Sequence, residues 1–166
     1  MAYFDLPDTG ETNSERLFAL KPDVYEAWKQ LSGAIKASMD FRLYEVATVA
    51  AAGELKSSYC ALAHGKVLLE QFGIAPGDPL DDADNAVQRF ARKIVDDATA
   101  VTQEDVDELR SHGLDDDAIL GVILAAALRC FFSKTLDAAG LQPDASFRSL
   151  PEQVREALTV GRPIES

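Results

Sequence analysis

A cysteine and a histidine in this sequence have the types and spacing needed for nucleophilic chemistry. Cys60 and His64 are four residues apart, so on a helix their side chains lie one turn apart on the same face. The imidazole is then within hydrogen-bond reach of the thiol. A cysteine in the first turn of a helix also feels the partial positive charge of the helix start, which favours the nucleophilic thiolate. The spacing therefore predicts a reactive thiol paired with a base.

The same residues also fit purely structural roles. A single cysteine on a helix is commonly a small buried hydrophobe, and a nearby histidine is commonly a polar residue with its hydrogen bonds satisfied. Glu45, taken alone, would be a surface residue near a helix start. Cys130 is the other cysteine, and two cysteines are too few for a disulfide framework. We therefore expect free thiols, with Cys130 either packing in the core or serving as a second thiol.

Helices must position these residues, because apolar side chains recur at helical spacing and strand-like alternation is nearly absent. The sequence predicts an all-α fold. Glu45 falls in the second predicted helix, and Cys60 and His64 fall in the third, which either Ser57 or Ser58 can cap. The predicted helices follow an irregular N-terminal segment and cover residues 22–39, 40–55, 57–73, 82–98, 102–112 and 115–140.

Composition bounds the class of protein. A chain of 166 residues with 47% hydrophobic content suits one domain, residues 1–166, with a sizeable core. Its 28 acidic and 16 basic residues give a net charge of -12, and no basic stripe is visible, so nucleic acid and anionic membranes are not expected partners. No secretory signal is visible, and the apolar run 119–128 is too short to span a bilayer. We expect a soluble cytoplasmic protein.

Glu45 and the segment 56–64, KSSYCALAH, together resemble a family signature. The AhpD-like alkylhydroperoxidase and carboxymuconolactone decarboxylase family has a glutamate, a C-x-x-C pair and a histidine four residues beyond the second cysteine. The resemblance is strongest over residues 40–141. It implies a bundle of about six or seven helices that assembles as a trimer, hexamer or dimer. The alanine-rich stretches 46–52 and 119–128 are candidate subunit contacts.

The resemblance also implies an activity. It is the reduction of organic hydroperoxides by an antioxidant, peroxidase-type oxidoreductase, with Cys60 as the reactive thiol, a Glu45/His64 proton relay, an external thiol reductant and no cofactor. Ser57 departs from the pattern, because it stands where the family has the first cysteine. Since serine cannot form a resolving disulfide, turnover would need Cys130, a second subunit or an external thiol. Ser57 and Tyr59, which precedes the reactive cysteine, are possible site-lining residues.

Two other functions stay open. A carboxymuconolactone decarboxylase-like lyase would use His64 and Glu45 as acid and base, with no redox-active pair. A non-enzymatic oligomeric module would bind a ligand or sense oxidants through reversible oxidation of Cys60. A bound metal is not expected, because the three candidate side chains lack the spacing of a zinc site.

Overall fold

The protein is all-helical in its computed structural model, which describes residues 2–166. These residues contain eight α-helices, two short 3₁₀ helices (Ala98–Ala100 and Ala145–Ser149) and no strand. The predicted all-α class is confirmed, with eight α-helices where about six or seven were expected. The helices are α1 (Asn13–Phe18), α2 (Pro22–Ala37), α3 (Phe41–Glu54), α4 (Ser58–Phe72), α5 (Asp82–Asp97), α6 (Gln103–Ser111), α7 (Asp116–Ala138) and α8 (Glu152–Leu158).

The six predicted helices correspond to α2–α7, and local signals explain their ends. The Asp40 carboxylate accepts a hydrogen bond from Leu43 N at the start of α3. Gly73 ends α4 with a φ of 67°, a left-handed conformation that favours glycine. Ser57 occupies the predicted N-cap position of α4, but its side chain makes no capping hydrogen bond. The hydroxyl of Ser58 instead accepts a hydrogen bond from Gly161 N, near the chain's C-terminus.

The N-terminal segment is irregular over residues 2–12, as predicted, but the helix at 13–18 was not predicted. A capping box between Thr12 and Glu15 opens α1, which has only six residues. So short a helix shows no readable periodicity in the sequence. Its position depends on distant contacts, including a hydrogen bond of 2.7 Å from Asn13 N to Asp144 Oδ1. The N-terminal arm therefore packs on its own chain, as the bond from Tyr3 N to Ala139 O also shows.

Helix α3 lies at the centre of the bundle and packs against α4, α5 and α7. Its small inward residues allow close approach, and Ala47 and Ala51 are completely buried. Most of the 46–52 stretch is buried within the subunit, so the prediction of a subunit contact there is wrong. Gly65 on α4 serves the same close packing, since a side chain there would collide with Leu158 of α8.

Helix α7 has two different sides. It is long and apolar enough to cross a membrane by length and composition alone, but 56% of its most apolar window is buried inside the protein. A central core helix passes the same test of length and composition. Its inner side carries Val122, Ala126 and Arg129, all buried, whereas Leu120 and Phe131 on its outer side are exposed. The inner side is the one that contributes to the site.

Candidate functional site

The centre of the site is a hydrogen bond between α3 and α4. Glu45 is only 1% exposed, and its Oε2 accepts a hydrogen bond from His64 Nδ1 at 2.6 Å. The other carboxylate oxygen, Oε1, lies 3.6 Å from Nζ of Lys36 on α2. Because the lysine is half-exposed, the buried carboxylate has one interior partner and one at the surface. The structure thus brings together two of the predicted residues, Glu45 and His64. The negative charge of Glu45 is compensated by the positive charge of Lys36.

His64 is held as a neutral imidazole. Burial lowers its pKa, because the charged form loses hydration. The Glu45 hydrogen bond opposes this effect, and the positive charge of Arg129 adds to it. With its proton on Nδ1 facing Glu45, the ring has a free acceptor at Nε2. The Tyr44 ring lies edge-on to it, with centroids 6.1 Å apart. The environment thus selects one tautomer.

Arg129 on α7 joins the histidine to the thiol. It is 2% exposed, and its Nη1 donates a hydrogen bond to His64 Nε2 at 3.0 Å and lies 4.0 Å from Cys60 Sγ. The guanidinium carbon lies 5.8 Å from the ring centroid of Trp28 and 5.5 Å from that of Phe132. In the described part of the chain, no carboxylate is within ion-pairing distance of this guanidinium. The site therefore holds an uncompensated positive charge beside a thiol.

Cys60 occupies the first turn of α4 and is 1% exposed. Both the helix start and the adjacent guanidinium place positive potential at its sulfur. The predicted direct pairing of Cys60 with His64 is wrong, because within residues 2–166 no hydrogen bond joins their side chains and the Arg129 guanidinium contacts both. Sequence reasoning missed Arg129. The available signal was a single arginine within an otherwise apolar helical segment, since buried charges are rare unless they have a partner.

A cavity of about 380 Å³ opens onto these groups. Its walls combine five aromatic side chains with polar and charged ones, and the N-terminal segment closes one side. The fifteen residues that line it are Thr12, Ser14, Glu15, Tyr25, Trp28, Ser32, Tyr59, Cys60, Ala63, His64, Arg129, Phe132, Asp144, Ser146 and Phe147. An apolar molecule of modest size could therefore reach the sulfur and the guanidinium together.

Tyr59 lines the cavity, as the sequence suggested, but its hydroxyl forms hydrogen bonds with Ser14 and Asp144 and not with Cys60. The hydroxyl donates a hydrogen bond to Asp144 Oδ2 at 2.6 Å and lies 3.1 Å from Ser14 Oγ. Burial, and then the Asp144 hydrogen bond, raise the Tyr59 pKa, so the group stays a neutral phenol. These bonds tie α1 and the 144–147 segment to α4. Tyr59 thereby fixes the cavity wall.

The other two predicted residues lie outside the cavity. Ser57 is completely buried at the start of α4 and does not line the cavity. Cys130 follows Arg129 on α7, where successive side chains point about 100° apart, and it does not line the cavity either. Both cysteines are free thiols. A resolving role for Cys130 stays a prediction. Over residues 2–166, no group of three or more His, Cys, Asp or Glu side chains is placed to hold a metal ion.

Known structures share this architecture. No protein-family profile and no curated protein sequence matches the chain. An uncharacterized peroxidase-related protein from Ralstonia eutropha JMP134, described as an alkylhydroperoxidase AhpD core, superposes with a TM-score of 0.74 at 21% identity, covering 82% of this chain and 78% of that one. The chain has an AhpD-like fold.

Two further structures extend the comparison. A peroxidase-related protein from Silicibacter sp. TM1040 has a TM-score of 0.74 at 18% identity and covers 89% of this chain and 94% of that one. The debrominase Bmp8, in complex with 2,3,4-tribromopyrrole, has a TM-score of 0.69 at 18% identity. The match covers 84% of this chain and 81% of that one. At sequence identities this low, the similarity establishes a shared fold and not a shared function. The activity must therefore be argued from the site.

Proposed function

We propose that this protein is a thiol-dependent reductase of organic hydroperoxides, an antioxidant activity of the peroxidase-related type. One observation carries the proposal: Arg129 is a buried guanidinium without a carboxylate partner, and it lies 4.0 Å from the Cys60 sulfur in an open cavity. Burying an unpaired charge is costly. A Cys60 thiolate would remove that cost. In this proposal the reacting form of Cys60 is the thiolate paired with that guanidinium.

The chemical step follows from that charge pair. The Cys60 thiolate attacks the terminal oxygen of the hydroperoxide, so a sulfur–oxygen bond forms while the oxygen–oxygen bond breaks. The bonding pair leaves with the alkoxide, and the sulfur is oxidised to a sulfenic acid. The hydroperoxide proton stays on the transferred oxygen as the sulfenic acid, and the departing alkoxide takes a proton from solvent to become the alcohol. Arg129 donates hydrogen bonds to the developing negative charge, first on sulfur and then on oxygen.

Glu45 and His64 hold the guanidinium in place and provide a proton acceptor. The Nδ1–H bond to Glu45 orients the ring so that Nε2 points to Arg129. When an incoming thiol reduces the sulfenic acid, Nε2 can take the proton that this thiol loses. His64 thus acts in the resolving half of the cycle, whereas Arg129 serves the first half.

Resolution requires an external thiol in this scheme. That thiol attacks the sulfenic sulfur, forming a mixed disulfide and releasing water, and a second thiol then displaces Cys60. Two thiols are oxidised to one disulfide for each hydroperoxide reduced to alcohol. The serine at position 57 is consistent with this requirement, since it cannot take the place of the incoming thiol.

The test is hydroperoxide consumption by the purified protein with dithiothreitol as reductant. Wild-type protein should consume cumene hydroperoxide, Cys60→Ser should lose the activity, and the matched control Cys130→Ser should keep it. Dimedone should label Cys60 after peroxide treatment without thiol. Absence of both turnover and labelling would overturn the proposal. Labelling without turnover would instead support a redox-sensing module. A brominated pyrrole in the same assay would check for dehalogenation.

An acid–base lyase is the second candidate, and the same guanidinium favours it. An unpaired buried arginine can bind a substrate carboxylate, with His64 and Glu45 as the proton-transferring pair. This reaction has no need of the thiol. Lactone decarboxylation that persists in Cys60→Ser would therefore favour the lyase over the reductase.

A further inference from the structure

The cavity at Cys60 has an unequal set of charges along its wall. Of the described residues that line it, Glu15 and Asp144 are acidic, and Arg129 is the one strongly basic residue. His64 adds no charge at neutral pH, because burial lowers the pKa of its imidazole. The lining charges are therefore negative in sum even when Cys60 is a neutral thiol.

Glu15 lies on the solvent side of this cavity. It is partly exposed, whereas Cys60 is only 1% exposed. Ser146 also lines the cavity and is exposed, so the cavity opens to solvent. A molecule that enters from solvent therefore passes the Glu15 carboxylate before it reaches the sulfur.

The Glu15 carboxylate is fixed in position and ionised. Its Oε2 accepts hydrogen bonds from Glu11 N at 2.8 Å and from Thr12 N at 3.1 Å. These two backbone hydrogen bonds, that of Glu11 first, lower the Glu15 pKa, because they stabilise the charged form more than burial destabilises it. Neither bond uses Oε1. That oxygen keeps its capacity to accept a hydrogen bond from a molecule in the cavity.

The surrounding groups do not cancel these negative charges. Lys29 on α2 also helps to lower the Glu15 pKa, but its ammonium is about half-exposed and pairs with Glu26 at 2.7 Å. Asp144 accepts its hydrogen bonds from neutral donors, a backbone amide and the Tyr59 hydroxyl. The outer part of the cavity therefore has a negative potential.

We propose that Glu15 makes this cavity selective for uncharged and cationic thiols over anionic ones. The inference rests on the proposed function, because the selected molecule is the external thiol that resolves the Cys60 sulfenic acid. An anionic thiol is repelled by the Glu15 carboxylate as it enters. A cationic thiol instead gains a charge-assisted hydrogen bond to Oε1, which offsets its loss of hydration.

Arg129 opposes this selection deeper in the cavity. Its guanidinium lies 4.0 Å from the Cys60 sulfur and attracts anions there. The attraction is greatest when Cys60 is an uncharged sulfenic acid, because the guanidinium then has no counter-charge beside it. Glu15 thus acts on entry, whereas Arg129 acts at the reacting sulfur. Removing the charge of Glu15 should therefore move the preference toward anions.

Methanethiosulfonates of three charges test the selection without turnover. The 2-aminoethyl, methyl and 2-sulfonatoethyl reagents are cationic, neutral and anionic. Each forms a mixed disulfide with Cys60 and releases methanesulfinate. The protein is the full chain with Cys130→Ser, and each rate is divided by that of the same reagent with 2-mercaptoethanol. At about 0.15 M salt, where distant surface charges are largely screened, the corrected rate for the cation should exceed that for the anion by about tenfold.

Glu15→Gln isolates the charge of this residue. Glutamine also fits the capping box that opens α1, so circular dichroism should show unchanged helix content. The cation-to-anion ratio of corrected rates should fall by about fivefold, the size expected for one partly screened charge roughly 10 Å away. Glu54→Gln is the matched control, because it removes the same charge from an exposed residue that does not line the cavity. Its ratio should equal that of the parent protein.

A matching series of thiols connects the selection with turnover. In the hydroperoxide assay, cysteamine should support faster turnover than 3-mercaptopropionate at equal thiolate concentration, with 2-mercaptoethanol between them. Three labelling results would each overturn the inference: a preference for the anion, a ratio unchanged in Glu15→Gln, or an equal fall in Glu54→Gln. Charge-selective labelling without turnover by any thiol would overturn the reductase activity and still support Glu15 as the selective residue.

Discussion

The interior site and the outer side of α2 and α7, called the outer face, differ in which groups lack a partner. Inside, polar side chains form a connected series from Lys36 through Glu45 and His64 to Arg129, and the final positive charge has only a thiol beside it. On the outer face, the apolar side chains that stand in water without cover are those of Val24, Leu31, Leu120, Leu124 and Phe131. A missing counter-charge indicates chemistry, because buried charge is costly. Missing apolar cover indicates no particular chemistry, because the hydrophobic effect is non-directional.

The largest effect should come from removing the unpaired interior charge. In Arg129→Met, the rate at which methyl methanethiosulfonate modifies Cys60 at neutral pH should fall by roughly 100-fold. Unit charges 4.0 Å apart interact by about 4 kcal/mol at an effective dielectric constant of 20, and desolvation offsets part of that. Cys130→Ser in the background makes the readout specific. Arg92→Met, at the exposed surface, is the control, and an unchanged rate in Arg129→Met would contradict the charge pair.

Neutralising the buried carboxylate should have the next largest effect. Glu45→Gln should lower the free energy of unfolding by about 2 kcal/mol, because a charged hydrogen bond to His64 and the ion pair with Lys36 are both weakened. Urea denaturation measures this loss. Glu70→Gln, whose carboxylate is half-exposed beside Lys66, should change stability by less than about 0.5 kcal/mol. Equal losses in the two variants would mean that the interior series has no special energetic role.

Introducing a second thiol at position 57 should test whether the resolving step limits turnover. Ser57→Cys places a thiol one helical turn before Cys60, where it can attack the sulfenic acid within the same chain. If thiol attack limits turnover, the rate with dithiothreitol should rise by about tenfold, because the resolving step becomes intramolecular. Peroxide treatment should also consume the two thiols at positions 57 and 60 in this variant, whereas Cys130 should stay free. Ser58→Cys serves as the control at the neighbouring position, and an equal gain there would argue against intramolecular resolution.

Acidification should weaken folding through His64. Burial lowers its pKa in the folded state, whereas an unfolded histidine takes up a proton below about pH 6.5. The stabilising contribution is therefore complete above that pH and is lost as the pH falls below it, with a slope of up to about 1.4 kcal/mol per pH unit. Urea denaturation at several pH values should show this decline in wild type and a shallower one in His64→Gln. His112→Gln, the other histidine, should decline like wild type.

The smallest effect on folding should come from the outer face. Leu31→Gln, at a residue that is 54% exposed, should change the unfolding free energy of dilute protein by less than about 0.5 kcal/mol, as exposed positions usually do. Val46→Ala, at a completely buried residue of α3, should cost about 1–2 kcal/mol. Thermal unfolding in dilute solution compares them. A large loss in Leu31→Gln alone would mean that this face is needed within the subunit.

The sequence by itself determined the helical class and the helices that hold the site. Apolar periodicity with Pro, Gly and Asp at the ends placed α2–α7, because these signals act between neighbours in the chain. The resemblance at positions 45, 60 and 64 also singled out three side chains that the structure brings around one site. The sequence did not predict the short helices α1 and α8, because their stability depends on packing against residues distant in the chain.

Only the tertiary structure decided which side chains contact one another in the site. Arg129 is 69 residues from Cys60 along the chain, and nothing local in the sequence indicates that α7 inserts its guanidinium beside the thiol and the imidazole. The same packing left Ser57 outside the cavity wall and turned the Tyr59 hydroxyl toward Asp144. It also separated the buried alanines of α3 from the exposed apolar side of α7. Periodicity reports that a face is apolar, whereas its burial depends on which other elements cover it.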